Sequence, residues 1–400
     1  SATLFPTTLA VIASGSRTHA QRARMIALWA ALLSTGNFIA PLLGGLTATY
    51  GVWRWAFFII MILAAADAVF SYFFAADSRS PEGRSLDIAG QCAVGLALFA
   101  LLYAIIEGPT AGWGSGTIIG SFIIAAVLLA AFVVIELKLP NPLLRMGLFR
   151  SRAFALASAV TVVGMFSFLG TAYAISIRME VIQHQSALRT AFAFILLSGL
   201  TIFLLPLTSF MMARFQPRWI LGGGFLLMGI GQLLASSLPI TDTTLPSLIA
   251  PMGLVGVGFS FAVSSVTATV VNTAPPQFSG MAAATTSMVR DFGFAMGPAI
   301  IGAVALSKAG TIFNHSLSGS TLPTSVSAAA AGAGPVVTNS VPPGVPFSKA
   351  APLAVQALDH GYSIGFAVCG IAALVCAVVT IAALGGRREQ EEEVALVESA

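Results

Sequence analysis

Residues 36–45, GNFIAPLLGG, sit inside a long apolar run, yet they carry three glycines and a proline. In water both residue types disfavour a helix, Gly by about 1 kcal/mol and Pro by about 3 kcal/mol relative to Ala. A helix crossing a bilayer tolerates them, because neighbouring helices re-satisfy the freed backbone groups. Gly36, Ala40 and Gly44 recur every fourth residue and so form one stripe without bulk, which lets another helix come close. Pro41 removes a backbone hydrogen bond and bends the helix. The stretch therefore predicts a smooth-faced, bent membrane helix at a helix–helix interface, serving either as ordinary tight packing or as a surface on which helices rock.

Composition agrees with a membrane setting. Of 400 residues 57% are hydrophobic and 8% charged, with a mean hydropathy of +0.91, whereas soluble domains carry about 25% charged residues. The apolar residues come in blocks of about 20, the length that crosses ~30 Å of hydrocarbon. A transmembrane barrel would instead show alternating runs of about 10 residues. The expected fold class is an all-α polytopic membrane protein. Complete spans are predicted near 25–47, 54–75, 88–107, 117–136, 154–176, 190–212, 219–238, 248–271, 281–306 and 357–384. The opening SATLFPTTLAVIAS (1–14) reads as the second half of a span with no charged leader before it, so a chain lacking earlier helices is expected. Residues 307–356, rich in Ala, Ser, Pro and Gly, read as a disordered loop, and 385–400 as a polar tail.

Lys and Arg accumulate on the cytoplasmic side of short loops. One alternate set of loops holds 13 of them: Arg17, Arg22, Arg24, Arg79, Arg84, Lys138, Arg145, Arg150, Arg152, Arg214, Arg218, Arg387 and Arg388. The other set holds five: Arg54, Arg178, Arg189, Lys308 and Lys349. This places the C-terminal tail in the cytoplasm and the 307–356 loop outside. Because the basic residues lie in short loops, the net charge of +4 does not point to nucleic acid. Cys92, Cys369 and Cys376 lie in apolar spans without metal-ligand spacing or a disulfide framework. No HExxH or nucleophile elbow occurs, so neither an enzyme nor a cofactor is expected.

The opening stretch has a counterpart in GFAMGPAIIG (293–302): Gly36 aligns with Gly293, Ala40 with Gly297, Pro41 with Pro298 and Gly45 with Gly302. Both lie in helices running outward, as parallel repeats about an axis along the membrane normal would place them. Ionisable residues inside spans are costly and default to function. Arg290 and Asp291 fall about ten residues into their span, ~15 Å deep. Successive residues point about 100° apart, so they need not pair. Asp291, with Arg290 beside it, is the first candidate for proton coupling or for binding a cation, and Asp67 is the second; a structural pair and a water-accessible mouth are their bland alternatives. Glu107, Asp359 and His360 read as interfacial, and Arg178, Glu180 and His184 as a solvated outward turn.

GNFIAPLLGG followed by WRWAFF (53–58) resembles the antiporter motif of drug:proton antiporters in the major facilitator superfamily. Other stretches resemble that family in the same order: RTHAQRARMIALW (17–29), RSLDIAG (84–90), NPLLRMGLFRSRAF (141–154), MMARFQPRWILGGGFLLMGIG (211–231) and PPQFSGMAAATTSMVRDFGFAMGP (275–298). The motif usually has Gly where Ala40 stands. The resemblance implies a fourteen-helix member without its first three and a half helices. Residues 1–76 would be the rest of the first helix bundle, 77–140 two extra central helices, 141–384 the second bundle and 385–400 a cytoplasmic tail. It also implies a monomeric, multi-pass protein of the cell membrane that exports hydrophobic or cationic small molecules in exchange for protons. A transporter of the same fold serving another small metabolite is the alternative.

Overall fold

The computed structural model describes residues 32, 35–36, 38–74, 87–139, 146–272, 279–342 and 344–383. Among these residues all regular structure is helical. In chain order the helices are α1 (Phe38–Thr49), α2 (Arg54–Phe74), α3 (Ile88–Ala111), α4 (Gly116–Lys138), α5 (Arg152–Ser176), α6 (Ala187–Phe194), α7 (Leu200–Arg214), α8 (Pro217–Ser236), α9 (Leu245–Asn272), α10 (Ser279–Ser318), α11 (Thr324–Ser340) and α12 (Ala351–Ala383). π-Helical turns, Ile177–Ile182 and Ile195–Gly199, follow α5 and α6; 3-10 turns lie at Met146–Arg150 and Pro346–Ala350. Among the described residues nine stretches are long and apolar enough to cross a bilayer. They coincide with nine of the ten expected complete spans. The tenth, 25–47, is described only in part, chiefly its later portion in α1; the half-span at 1–14 and the tail lie wholly outside the described residues.

Helix starts follow local chemistry. The first amides of a helix have no intrahelical acceptor, and short polar side chains supply one. Asp87 accepts from the Gly90 amide at 2.7 Å ahead of α3. Ser115, Ser151 and Ser186 do the same for α4, α5 and α6 at 3.3–3.4 Å.

From α5 onward the helices form one bundle whose core includes Phe154, Met165, Phe225, Ile301 and Phe366, all fully buried. Its crossings depend on glycine. A Cβ at Gly258 would strike the carbonyl of Gly224 across the α8–α9 crossing, one at Gly361 that of Ala305 between α12 and α10, and one at Gly293 that of Val162 between α10 and α5. Buried polar joints add direction. The Ser167 hydroxyl of α5 lies 2.9 Å from Gln232 Oε1 of α8 and 2.8 Å from the Cys369 carbonyl of α12. Thr201 and Ser260 join α7 to α9 at 2.9 Å. The α3–α4 hairpin leans on α10 through Ile105 against Ala299 and Ala303.

The turns 177–186 and 237–244 and the segment 319–350 meet at one end of this bundle. Arg178 was expected in a solvated turn but is buried, with 4% of its side chain exposed. Its Nη2 donates to the carbonyls of Leu238 (2.9 Å) and Pro239 (2.7 Å), and its Nη1 stands 3.7 Å from Asp359 Oδ1. Gln183 donates to the carbonyls of Ile240 and Asp242, and Asn339 to that of Val181 at 2.8 Å. Asp359, expected at the mouth of its helix, lies two turns inside α12. In the 237–244 turn, the hydroxyl and amide of Thr244 donate to Asp242 Oδ1 (2.7 and 2.9 Å) and hold that carboxyl below the usual range.

Residues 307–356 correct the expectation of a disordered loop. α10 continues to Ser318, α11 occupies 324–340, and a 3-10 turn leads into α12 at Ala351. The run SAAAAGA has high intrinsic helix propensity, and its small side chains pack closely: Ala330, Ala350, Ala354 and Ala357 surround Phe313 and Leu317. Gly334, at φ +79°, interrupts α11 in a conformation that favours glycine, and Pro335 restarts it.

α1 lies against α6. A Cβ at Gly45 would come within 2.8 Å of Ala191 Cβ and 2.9 Å of the Ala187 carbonyl. Phe38 sits against Gly199 and meets Phe203 edge-on, with ring centroids 6.1 Å apart. No residue of α2 with a described environment is buried.

Two outcomes follow from these contacts. Gly45→Val is expected to push α1 off α6, costing about 1–3 kcal/mol as overpacking does, whereas a Cβ added at Gly44 meets nothing within 4 Å, so Gly44→Val should disturb the contact far less. Disulfide trapping between cysteines placed at Ala48 and Thr190 should fall for Gly45→Val and persist for Gly44→Val. Arg178→Met leaves Asp359 and two carbonyls without their donor; removing one partner of a buried pair costs about 3–5 kcal/mol, and the 22% exposure of Asp359 places this case near the lower figure. Thermal unfolding in detergent should show a clear drop for Arg178→Met and a smaller one for Arg178→Lys.

Candidate functional site

α10 presents three distinct sides, set by which of its residues are small. Gly293 and Gly297 press on α5, where an added Cβ at Gly297 would stand 2.6 Å from the Gly170 amide nitrogen and 2.7 Å from the Phe166 carbonyl. Gly302 extends this line to the Tyr173 ring. Met296, Ala299 and Ala303 face α3. The remaining line, with Asp291 and Ala295, is exposed, and Pro298 beside it is partly buried.

Asp291 and Arg290 pair at 3.2 Å, which helical geometry alone left open. The long arginine side chain folds back along the helix and bridges the 100° between them. Asp291 keeps 48% of its side chain exposed and Arg290 16%. The pair itself lies within one helix. α10 is also longer than expected: its 40 residues span ~60 Å and centre on Pro298, so Asp291 stands ~10 Å before the midpoint. Asp67 is exposed on α2. The structure brings Asp67 and Asp291 into no common site.

The matched stretches differ in their surroundings. Gly293 and Gly297 are covered by α5, while an added Cβ at Gly36 or Gly44 meets nothing within 4 Å and Ala40 is exposed. The stripe at Gly36, Ala40 and Gly44 is thus uncovered among the described residues, and the close contact of α1 passes through Gly45 one position round the helix.

Beside that contact lies a cleft of about 330 Å³. Pro41, Gly44, Gly45 and Ala48 of α1 form one wall, and Ala187, Thr190, Ala191 and Phe194 of α6 form the other. Glu180, from the π-helical turn before α6, is the one charged residue among the described residues that line it. Its spacing from Arg178 in the sequence suggested only a solvated turn.

Other residues of the spans take structural roles. Glu107 Oε2 accepts from Thr110 at 2.9 Å near the end of α3. Met165 is fully buried, and Phe168 stacks on Phe259 with centroids 3.5 Å apart. Among the described residues no group of three His, Cys, Asp or Glu side chains is placed to hold a metal.

The sequence has known relatives. The sequence profile of the Major Facilitator Superfamily matches residues 1–298. The chain is similar to the multidrug resistance protein Stp of Mycobacterium tuberculosis, 27% identical over 298 residues that make up 74% of this chain and 55% of the relative. It is similar to the tetracenomycin C resistance and export protein of Streptomyces glaucescens, 26% identical over 363 residues, 89% of this chain and 67% of the relative. It is similar as well to the uncharacterized MFS-type transporter EfpA of M. tuberculosis, 30% identical over 316 residues, 77% of this chain and 58% of the relative. The chain thus spans between about half and two thirds of the length of these relatives. With the profile extending over most of its length and nine apolar spans among its helices, the chain is a multi-pass membrane protein that belongs to the Major Facilitator Superfamily.

Proposed function

We propose that the protein is a proton-coupled antiporter that exports hydrophobic or cationic compounds, drugs and antibiotics among them, across the cell membrane. The observation that carries this reading is the Arg290–Asp291 pair on the open side of α10. A charged side chain within a span costs about 2.5–3.5 kcal/mol on insertion scales, which makes function its default explanation. A carboxylate half-exposed on such a side is accessible both to protons and to a cationic group. Relatives whose names read multidrug resistance, and resistance and export, support the direction and the class of cargo.

On this reading α1 and α2 belong to the first helix bundle, α3 and α4 are the extra central pair, and α5–α12 form the second bundle. The two bundles rock about a site between them, with α1 meeting α6 along the Gly45 contact. The end that gathers 177–186, 237–244 and 319–350 faces outward, in accord with the 13-to-5 distribution of basic residues, and the tail is cytoplasmic.

Asp291→Asn is expected to cut pH-gradient-driven efflux of a fluorescent cation from everted vesicles by roughly tenfold or more, an effect of about 1.4 kcal/mol. An amide cannot exchange the proton. Asp291→Glu should keep part of the activity. Efflux by Asp291→Asn equal to that of the native protein would return Asp291 to a structural role. A native protein that moves no drug, and whose deletion impairs growth on a single nutrient, would point to the same fold serving another metabolite.

A further inference from the structure

The π-helical turn Ile177–Ile182 is held by its neighbours at almost every position. Arg178 is fixed by two carbonyls and Asp359, Val181 receives the Asn339 amide, and Gln183 just beyond is bound to the 237–244 turn. Met179 and Ile182 are buried. Glu180 alone in the turn is exposed, and it lines the cleft against α1. π-Helical turns concentrate at functional sites because the extra residue re-aims the side chains around it. Here Arg178 faces into the bundle and Glu180 faces the cleft.

Among the described residues, the rest of the cleft offers the carboxylate no counter-charge. The α1 wall is Pro41, Gly44, Gly45 and Ala48, without a side-chain donor. On the other wall the Thr190 hydroxyl points to the Ser186 carbonyl at 3.5 Å. Among the described residues Glu180 takes part in no ion pair. Phe194 supplies an aromatic surface, which attracts a cation through its ring face. About 330 Å³ admits the head of a small organic ligand, toward the lower end of the ~300–1,000 Å³ of such sites.

We propose that Glu180 is the anionic subsite for the cationic group of the exported compound, at the outward end of the contact between α1 and α6. The proposal rests on the export reading above. It selects one class of cargo, apolar cations such as quaternary ammonium or phosphonium ions. These need a single negative charge and apolar walls, and they bring no N–H donors that the walls would leave unpaired.

The test is equilibrium binding of tetraphenylphosphonium, and of neutral triphenylphosphine oxide as a probe of similar shape, to the purified full-length protein in detergent. Glu180→Gln should weaken phosphonium binding by roughly tenfold at low salt, leave the neutral probe unchanged, and abolish most of the salt dependence. Glu180→Asp should stay close to the native affinity, and an unchanged unfolding temperature shows that each variant folds. Phosphonium binding by Glu180→Gln as tight as native overturns the subsite alone, and so does an equal loss for both probes. A native protein that binds neither probe overturns the subsite together with the export reading.

Discussion

Inside a bilayer an apolar side chain gains nothing by leaving lipid for protein, so close approach and hydrogen bonds must hold the helices together. This constraint organises the bundle from α5 onward. Its helices touch where one of them lacks a side chain, at Gly258, Gly293, Gly297 and Gly361, because only there can a neighbouring carbonyl come within van der Waals reach. Contacts of this kind are unforgiving of size. A single methyl at these positions strikes backbone, which cannot move aside as a flexible side chain can.

The polar joints supply what shape alone lacks. Smooth helices can slide past one another, but Ser167, Gln232 and the Cys369 carbonyl fix the register of three of them at one depth. Arg178 does similar work at one end, where it satisfies carbonyls of a turn that has too few amide donors of its own. A charge so deeply placed is tolerated because its hydrogen-bond capacity is matched on several sides.

The fold was readable in the sequence where a single helix determined the answer. Span length and hydropathy required only local patterns, and nine spans stand where those patterns put them. What remained hidden depended on partners far along the chain. The burial of Arg178 needs Asp359 and the 237–244 turn, 181 and about 60 residues away respectively, and no local pattern announces either. The Ala-rich segment was misjudged for a related reason. Its composition resembles that of a linker, but alanines that can pack on Phe313 and Leu317 make a helix worth forming. For the candidate site, the identity of Asp291 was legible and its pairing with Arg290 was not, since side-chain length rather than helical angle decided it. The contact of α1 moved by one position, from the stripe at Gly44 to Gly45, because the sequence shows that a helix has a smooth side and not which side another helix occupies.

The length of α10 has a mechanical consequence. At ~60 Å it is about twice the ~30 Å hydrocarbon thickness, and its midpoint is Pro298, whose missing amide proton leaves the Phe294 carbonyl without its helical donor. The helix therefore behaves as a lever with its weakest point at the centre. The 20 residues beyond Pro298 form an arm of ~30 Å, so a tilt of ~5° at the proline sweeps the far end by ~2.6 Å. That end carries Phe313 and Leu317, the residues around which α11 and the start of α12 are assembled. A movement too small to disturb the glycine contacts near the centre is thus delivered, enlarged, to the surface cap.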